Sequence, residues 1–348
     1  MEQVYDQHIR GYHAIIPPRE LASNIPLGRG RETVLAARHE IREILEGKSA
    51  KKLLVVGPCS IHDPAAALDY AARLKAVASK CDQVVLVMRA YFEKPRTTIG
   101  WKGFINDPRH NGTFEIEEGL TQARRLLVQL EEAGIPAGTE ALDPITIQYF
   151  ADLIAWSAIG ARTTESQPHR EMASGLSMPV GFKNTTDGNV DAAVNAIKAA
   201  QVPHTFLGID QEGRTSIVLT AGNPHGHVIL RGGDKTNYDR ESVAIASTRL
   251  AKAGLPGRLM IDCSHGNSGK DAARQPVVFR DVLGQMLENE SIMGMMVESN
   301  IHAGTQPIGE NMRYGVSITD ACIGWETTEE LILEMQDTLA SRLVAKSA

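Results

Sequence analysis

The sequence predicts an α/β fold, a closed (β/α)8 barrel, on three observations. Eight short apolar or small-residue runs recur along the chain, and helical patterns lie between them. Several runs lack period-two alternation, as strands buried on both faces of a parallel sheet do. The chain has 348 residues, 43% of them hydrophobic. That is ample for one barrel of roughly 250 residues with additions. The expected organisation is one barrel domain over 1–348, with an N-terminal arm and helix at 1–48 and an insertion at 204–222.

Taken in order, residues 1–30 read as an irregular arm holding Pro17, Pro18 and Pro26. RETVLAARHEIREILE, about 31–46, reads as a helix: Val34, Leu35, Ile41, Ile44 and Leu45 form its apolar stripe, and Gly47 suits its stop. The runs follow as LLVVGPC, VVLVMRA, PAGTEA, AIGART, PVGFKN, VILRGG, LMIDCSHG and MGMMVES. Between them lie helical patterns such as AAALDYAARLKAVASK, EEGLTQARRLLVQLEEAG and YDRESVAIASTRLAKAG. HTFLGIDQEGRTSIVLTAG (204–222) reads as a β-hairpin turning at Gln211, Glu212 and Gly213. A long loop, FEKPRTTIGWKGFINDPRHNG, follows the second run, and loops of that length in a compact domain are often functional. Such an arrangement is a TIM barrel with an N-terminal extension and an inserted hairpin.

Composition narrows the function. A net charge of −6 and a pI near 6.0 argue against a nucleic-acid binder. No stretch approaches the ~18 apolar residues of a membrane span. The opening residues hold no unbroken apolar run that would suggest a secretory signal. Four cysteines, Cys59, Cys81, Cys263 and Cys322, make no CxxC pair. A cytoplasmic location is the simplest expectation.

The polar residues fall at the run ends: Cys59, Arg89, Glu140, Arg162, Lys183, Arg231, His265 and Glu298. In a parallel barrel the C-terminal strand ends converge on one mouth, where barrel enzymes do their chemistry. Arg89, Arg162, Lys183 and Arg231, with Lys94 and Arg96 from the loop, make a ring of cations, tolerable around a ligand with several negative groups. Cys59, His265 and Glu298 follow strands one, seven and eight, which become neighbours on closure. With Asp320 they offer one thiolate, one imidazole and two carboxylates. That borderline-soft set suits one divalent ion of Mn, Fe, Co or Zn without choosing among them. Each residue alone also fits a plain role. Cys59 fits a small buried hydrophobe, Glu298 and Asp320 fit caps, and His62 fits either a helix cap or support for the site. Cys263 is expected inside the seventh strand as packing. The common placement at the strand ends argues for a site.

Long motifs also carry a resemblance. GPCSIHD, YFEKPRTTIGWKG, GARTTESQ, PVGFKN, ILRGG, DCSHGNS, ESN and SITDACIGWE resemble the microbial type I DAHP synthases, over about residues 10 to 340. The resemblance implies condensation of phosphoenolpyruvate with D-erythrose 4-phosphate at the entry to the shikimate pathway. Cys59, His265, Glu298 and Asp320 match its metal ligands. Arg89, Lys94, Glu140, Arg162, Lys183 and Arg231 match the phosphoenolpyruvate pocket. Lys94, Pro95, Arg96 and Thr97 match the erythrose 4-phosphate segment, with Asp320 beside it. Lys94, Cys59 and His265 are the residues expected to carry the chemistry.

In that family the arm and hairpin form a site for an inhibitory aromatic amino acid. Matching positions are Gln148, Met172, Leu176, Ser177, Phe206, Gly208 and Val218, with Asp6 in the arm. The wording SMPVGF, FLGIDQEG and ESNIHAGTQP is most like the tyrosine-sensitive branch. Ile147 stands where close relatives usually have Pro, which loosens that loop. A homodimer or homotetramer is implied as well. Rival readings are a sister enzyme using arabinose 5-phosphate to make an eight-carbon sugar acid, and a non-catalytic amino-acid-sensing barrel. The KPRT segment favours the four-carbon sugar, and the full set of ligands and cations favours catalysis.

Overall fold

The computed structural model describes residues 4–347. Its elements are α1 Pro18–Asn24, α2 Arg31–Leu45, β1 Lys52–Gly57, α3 Pro64–Ala78, β2 Val84–Arg89, α4 Ile116–Glu132 and β3 Ala137–Glu140. Then come β4 Ile154–Ile159, α5 Gln167–Gly175, β5 Val180–Lys183, α6 Val190–Ala200, β6 Thr205–Ile209, β7 Thr215–Leu219, β8 Gly226–Leu230 and α7 Arg240–Lys252. The chain finishes with β9 Leu259–Asp262, α8 His265–Ser268, α9 Gln275–Met286, β10 Ile292–Glu298 and α10 Trp325–Ser347.

Eight strands close a parallel barrel in the order β1-β2-β3-β4-β5-β8-β9-β10 and back to β1. The apolar runs lack alternation because both strand faces are covered. Leu53, Val55, Val87, Trp156, Ile229, Met260 and Met296 fill the inside. Leu54, Val56, Leu86, Met88, Val228 and Ile261 pack outward with the helices. Trp156 Nε1 donates to His227 Nε2 at 3.2 Å inside this core. Burial pushes that imidazole's pKa down to about 3, so it stays neutral.

The arm departs from the irregular course expected of it. Pro18 sits in the first turn of a real helix, α1, with Glu20 beside it; a fixed φ and a missing N–H suit proline there. Arg19 N donates to Gln211 O at 2.9 Å, and Tyr149 Oη to Ile16 O at 2.8 Å, so the arm clips onto the hairpin and the barrel. Three smaller expectations are also corrected. The fourth strand begins at Ile154, well before the run AIGART, because the preceding IAWS is equally apolar. Cys263 lies one residue past β9, buried but outside the strand. Asp63, not His62, caps α3 by accepting from Ala65 and Ala66 N–H; His62 instead meets His110 edge-on with ring centroids 6.0 Å apart.

The hairpin β6–β7 forms a separate two-stranded antiparallel sheet pairing Phe206 with Val218 and Leu207 with Ile217. Asp210 accepts from Glu212 and Arg214 N–H, and Gly213 takes the left-handed turn position at φ 72°. Leu207, Ile217 and Leu219 on this hairpin are exposed. Among the described residues no helix is long and apolar enough to cross a membrane.

Candidate active site

The strand ends deliver the expected side chains to one mouth. Arg89, Glu140, Lys183 and Glu298 are the last residues of β2, β3, β5 and β10. Arg231 follows β8 by one residue, Cys59 follows β1 by two, and Arg162 and His265 follow β4 and β9 by three. Lys94, Pro95, Arg96, Glu140, Arg162, Lys183, Arg231, His265 and Asp320 line one pocket of about 130 Å³. Thr97 joins through its hydroxyl, which accepts from Arg162 Nε at 3.2 Å.

The sulfur of Cys59 and carboxylate oxygens of Glu298 and Asp320 lie within 4.8 Å of one another. His265, the fourth expected ligand, stands beside that trio, with Nε2 3.7 Å from Glu298 Oε1. Cys59 and Glu298 are buried while Asp320 is exposed. Burial, then the neighbouring Glu298, push the Cys59 thiol up; Lys94 works the other way. Burial raises Glu298 too, but His265, Arg89 and Lys94 outweigh it and hold the carboxylate below its ordinary range. Two carboxylates and one sulfur gathered within 4.8 Å fit a divalent cation, whose charge would favour the Cys59 thiolate that burial alone disfavours.

The cations divide into two sets. Arg89, fully buried, donates to Glu298 Oε1 at 3.0 Å, and its guanidinium lies 4.0 Å from the Tyr91 ring centroid. Lys183 Nζ donates to Asp262 Oδ2 at 2.9 Å, and Lys94 Nζ lies 3.1 Å from Cys59 Sγ. Burial lowers the Lys94 ammonium, but Cys59 and Glu298 reverse the shift, so it stays charged. Arg96, Arg162 and Arg231 have no carboxylate partner among the described residues. Burial, with Arg162 adding repulsion, lowers Arg231, partly offset by Asp262. Free guanidinium groups facing one cavity call for anions that arrive with a ligand. Glu140 Oε1 is buried without a partner, and a Cβ at Gly160 would sit 2.2 Å from it, so a larger residue there would have to push the Glu140 carboxylate aside.

Residues 27–333 match the DAHP synthetase I family. The chain belongs to that family. It is 53% identical over 347 residues to the "Phospho-2-dehydro-3-deoxyheptonate aldolase, Tyr-sensitive" of Escherichia coli (strain K12), covering 98% of each chain. The Phe-sensitive protein of the same strain is 50% identical over 342 residues, 97% of this chain and 98% of that one. A solved phospho-2-dehydro-3-deoxyheptonate aldolase from Francisella tularensis SCHU S4 superposes with a TM-score of 0.94 at 48% identity. The match covers 96% of this chain and 99% of that one.

In this DAHP synthetase I family member, a second cavity of about 1050 Å³, sharing no lining residue with the mouth, lies between α5, the hairpin and residues 143–151. Gln148, Met172, Leu176, Ser177, Phe206, Gly208 and Val218 all line it. Asp6 does not: it lies exposed in the arm with a left-handed φ of 55°, accepting from Tyr12 Oη at 2.8 Å. Ile147 is buried behind the lining. Two charged residues of the mouth escaped the sequence reading. Lys270 lines the pocket from a left-handed position after α8, and Asp262 lies beneath it. A charged residue inside the apolar run LMID was the available signal for Asp262.

Proposed function

We propose that the protein is a DAHP synthase. It condenses phosphoenolpyruvate with D-erythrose 4-phosphate and water to give 3-deoxy-D-arabino-heptulosonate 7-phosphate and phosphate, the first step of the shikimate pathway. The observation that carries this reading is one mouth holding a cation-binding trio and a ring of cations, on a chain that matches the family over most of its length. Cys59, His265, Glu298 and Asp320 are the residues to hold one divalent ion of Mn, Fe, Co or Zn. When bound, such an ion supplies Lewis acidity toward the aldehyde oxygen.

The chain's own groups account for the rest. Arg162 and Arg231, free of carboxylate partners, bind the phosphoenolpyruvate phosphate. Arg89, Lys94 and Lys183 surround its carboxylate, with Glu140 beside them. Pro95, Arg96, Thr97 and Asp320 position the tetrose phosphate. Clamping both phosphates brings C3 of phosphoenolpyruvate to the aldehyde carbon, and positioning of this kind supplies much of a rate enhancement. The new C–C bond leaves positive character at C2, water adds there, and phosphate leaves by C–O cleavage. Lys94, charged and pointing into the pocket, delivers the proton that the nascent alkoxide needs.

The second cavity is the site for an inhibitory aromatic amino acid, tyrosine favoured. Phe206, Met172 and Leu176 offer apolar cover, and Gly208 leaves room beside Val218. The exposed face of Leu207, Ile217 and Leu219 supports a homodimer or homotetramer. The test is phosphate release from phosphoenolpyruvate, with and without erythrose 4-phosphate, after chelation and after Mn(II) return. Release that ignores the tetrose, or an equal rate on arabinose 5-phosphate, rejects the assignment.

A further inference from the structure

We propose that Asp262 is a positioning residue that couples the metal half of the mouth to its phosphoenolpyruvate half. This rests on the function proposed above. Asp262 ends β9 and has no exposed surface. Its Oδ2 faces both Lys183 Nζ and His265 Nδ1 at 2.9 Å each. Its Oδ1 accepts from Ser264 N–H at 3.0 Å and Ser264 Oγ–H at 2.6 Å. Lys183 Nζ and two Ser264 groups thus donate to one buried carboxylate, and His265 Nδ1, which also lies 2.9 Å from Ser264 Oγ, closes on it from the metal half of the site.

The consequences follow from hydrogen-bond inventory. With its N–H on Nδ1, facing Asp262 Oδ2 and Ser264 Oγ at 2.9 Å each, the His265 ring keeps a bare Nε2 on the Glu298 side, the nitrogen a metal requires. The same oxygen holds the Lys183 ammonium at the end of β5, two strands away around the barrel. His265 also needs anchoring, because its backbone is left-handed at φ 51°. A neutral amide of the same shape cannot replace this. Asparagine has one acceptor oxygen and one NH2 group. If the oxygen meets Ser264, the NH2 confronts the ammonium and the imidazole N–H. If it is turned round, the NH2 confronts Ser264 N–H. Either way one donor faces a donor, and either the metal-facing tautomer or the lysine position is lost.

The test uses Asp262→Asn in the full chain, with binding read apart from turnover. Mn(II) affinity without substrate is expected to fall about 10- to 100-fold. Phosphoenolpyruvate affinity of the chelated protein is expected to fall about tenfold, a typical strength for a lost charge-assisted contact. Both losses should come with a folded circular-dichroism spectrum. In the Co(II)-loaded variant the Cys59 thiolate charge-transfer band should persist while the ligand-field bands shift, which general unfolding does not produce. Wild-type affinity for either ligand, or loss of one without the other, overturns the proposal. Should the variant not fold, Ser264→Ala replaces it: removing one of the two donors on Oδ1 should loosen the carboxylate and weaken both affinities together by about threefold, and an unpaired change overturns the proposal. Wild-type protein that binds neither Mn(II) nor phosphoenolpyruvate would instead reject the function on which this rests.

Discussion

The barrel mouth and the cavity beside the hairpin are built by opposite means. At the mouth, charged groups sit on strand ends of a closed sheet and are buried in pairs. Arg89 with Glu298 and Lys183 with Asp262 are 6% exposed or less. Removing one member of such a pair strands the other without solvent, so each position is close to all-or-none. The cavity is lined by Phe206, Met172, Leu176 and Val218, and one wall is a hairpin with exposed apolar side chains. Two strands alone are marginal, and this pair depends on α1, α5 and what it packs against. Changes there should be graded. The difference separates a site fixed by topology from one that can be retuned residue by residue.

The sharpest way to break that contrast is at the trio. Chelation is expected to lower turnover more than about 100-fold, with recovery on Mn(II) return, and Cys59→Ala to give a similar loss without recovery. Phosphate release measures both, and a Cys59→Ala enzyme within tenfold of wild type would falsify the assignment of the trio. Next is Arg231→Met, which removes a buried cation with no carboxylate to strand. The expected effect is a rise in KM for phosphoenolpyruvate of about 30- to 100-fold, with KM for the tetrose nearly unchanged.

Gly208→Ser probes the graded region. A Cβ there would lie 2.9 Å from Val218 Cγ2, so the wall must shift and the space beside it narrow. The tyrosine concentration giving half-inhibition is expected to rise about tenfold, a change of roughly 1.4 kcal/mol, while that of phenylalanine falls. Rate measurements across both amino acids decide; equal loss for both removes the role of Gly208 in selectivity.

The two regions were also unequally legible in the sequence. Parallel strands carry a one-dimensional signature, an apolar run ending in a polar residue, and closure converts that pattern into proximity without further information. Hence Arg89, Glu140, Lys183 and Glu298 could be placed by pattern alone, and the hairpin by its turn residues. What pattern could not supply is partnership. That Arg89 pairs with Glu298 while Arg231 finds no carboxylate depends on side-chain reach across the barrel. Asp262 ends its run LMID as the signature requires, but His265, three residues on, took the place of that strand's site residue. The first helix was missed because Pro17 and Pro18 signal a break and an N-terminus equally well. The cavity residues come from α5, β6 and β7 and the segment after β3, and no local pattern joins them; family likeness alone named them. It also named Asp6, which the structure leaves out of the lining.

One buried acid lies where the two regions meet, and its effect falls on stability and leaves catalysis and inhibition alone. Glu93, in the loop after β2, is packed against Asp143 and Thr146, and Asp143 lines the cavity. Burial, followed by repulsion from Asp143, pushes the Glu93 carboxyl up to about 8. The unfolded carboxyl ionises near 4.5. A folded pKa above the unfolded one means the native state retains the proton longer. Stability from this group is therefore greatest at low pH and falls as pH rises toward 8, with the loss complete just above it. Linkage puts the fall between pH 6 and pH 9 at roughly 2.7 kcal/mol. Glu93→Gln keeps the shape and removes the ionisation, so its unfolding midpoint should lose that part of the alkaline decline. Parallel wild-type and variant curves of midpoint against pH would show that Glu93 ionises without strain. The loop between mouth and cavity would then be looser than its burial suggests.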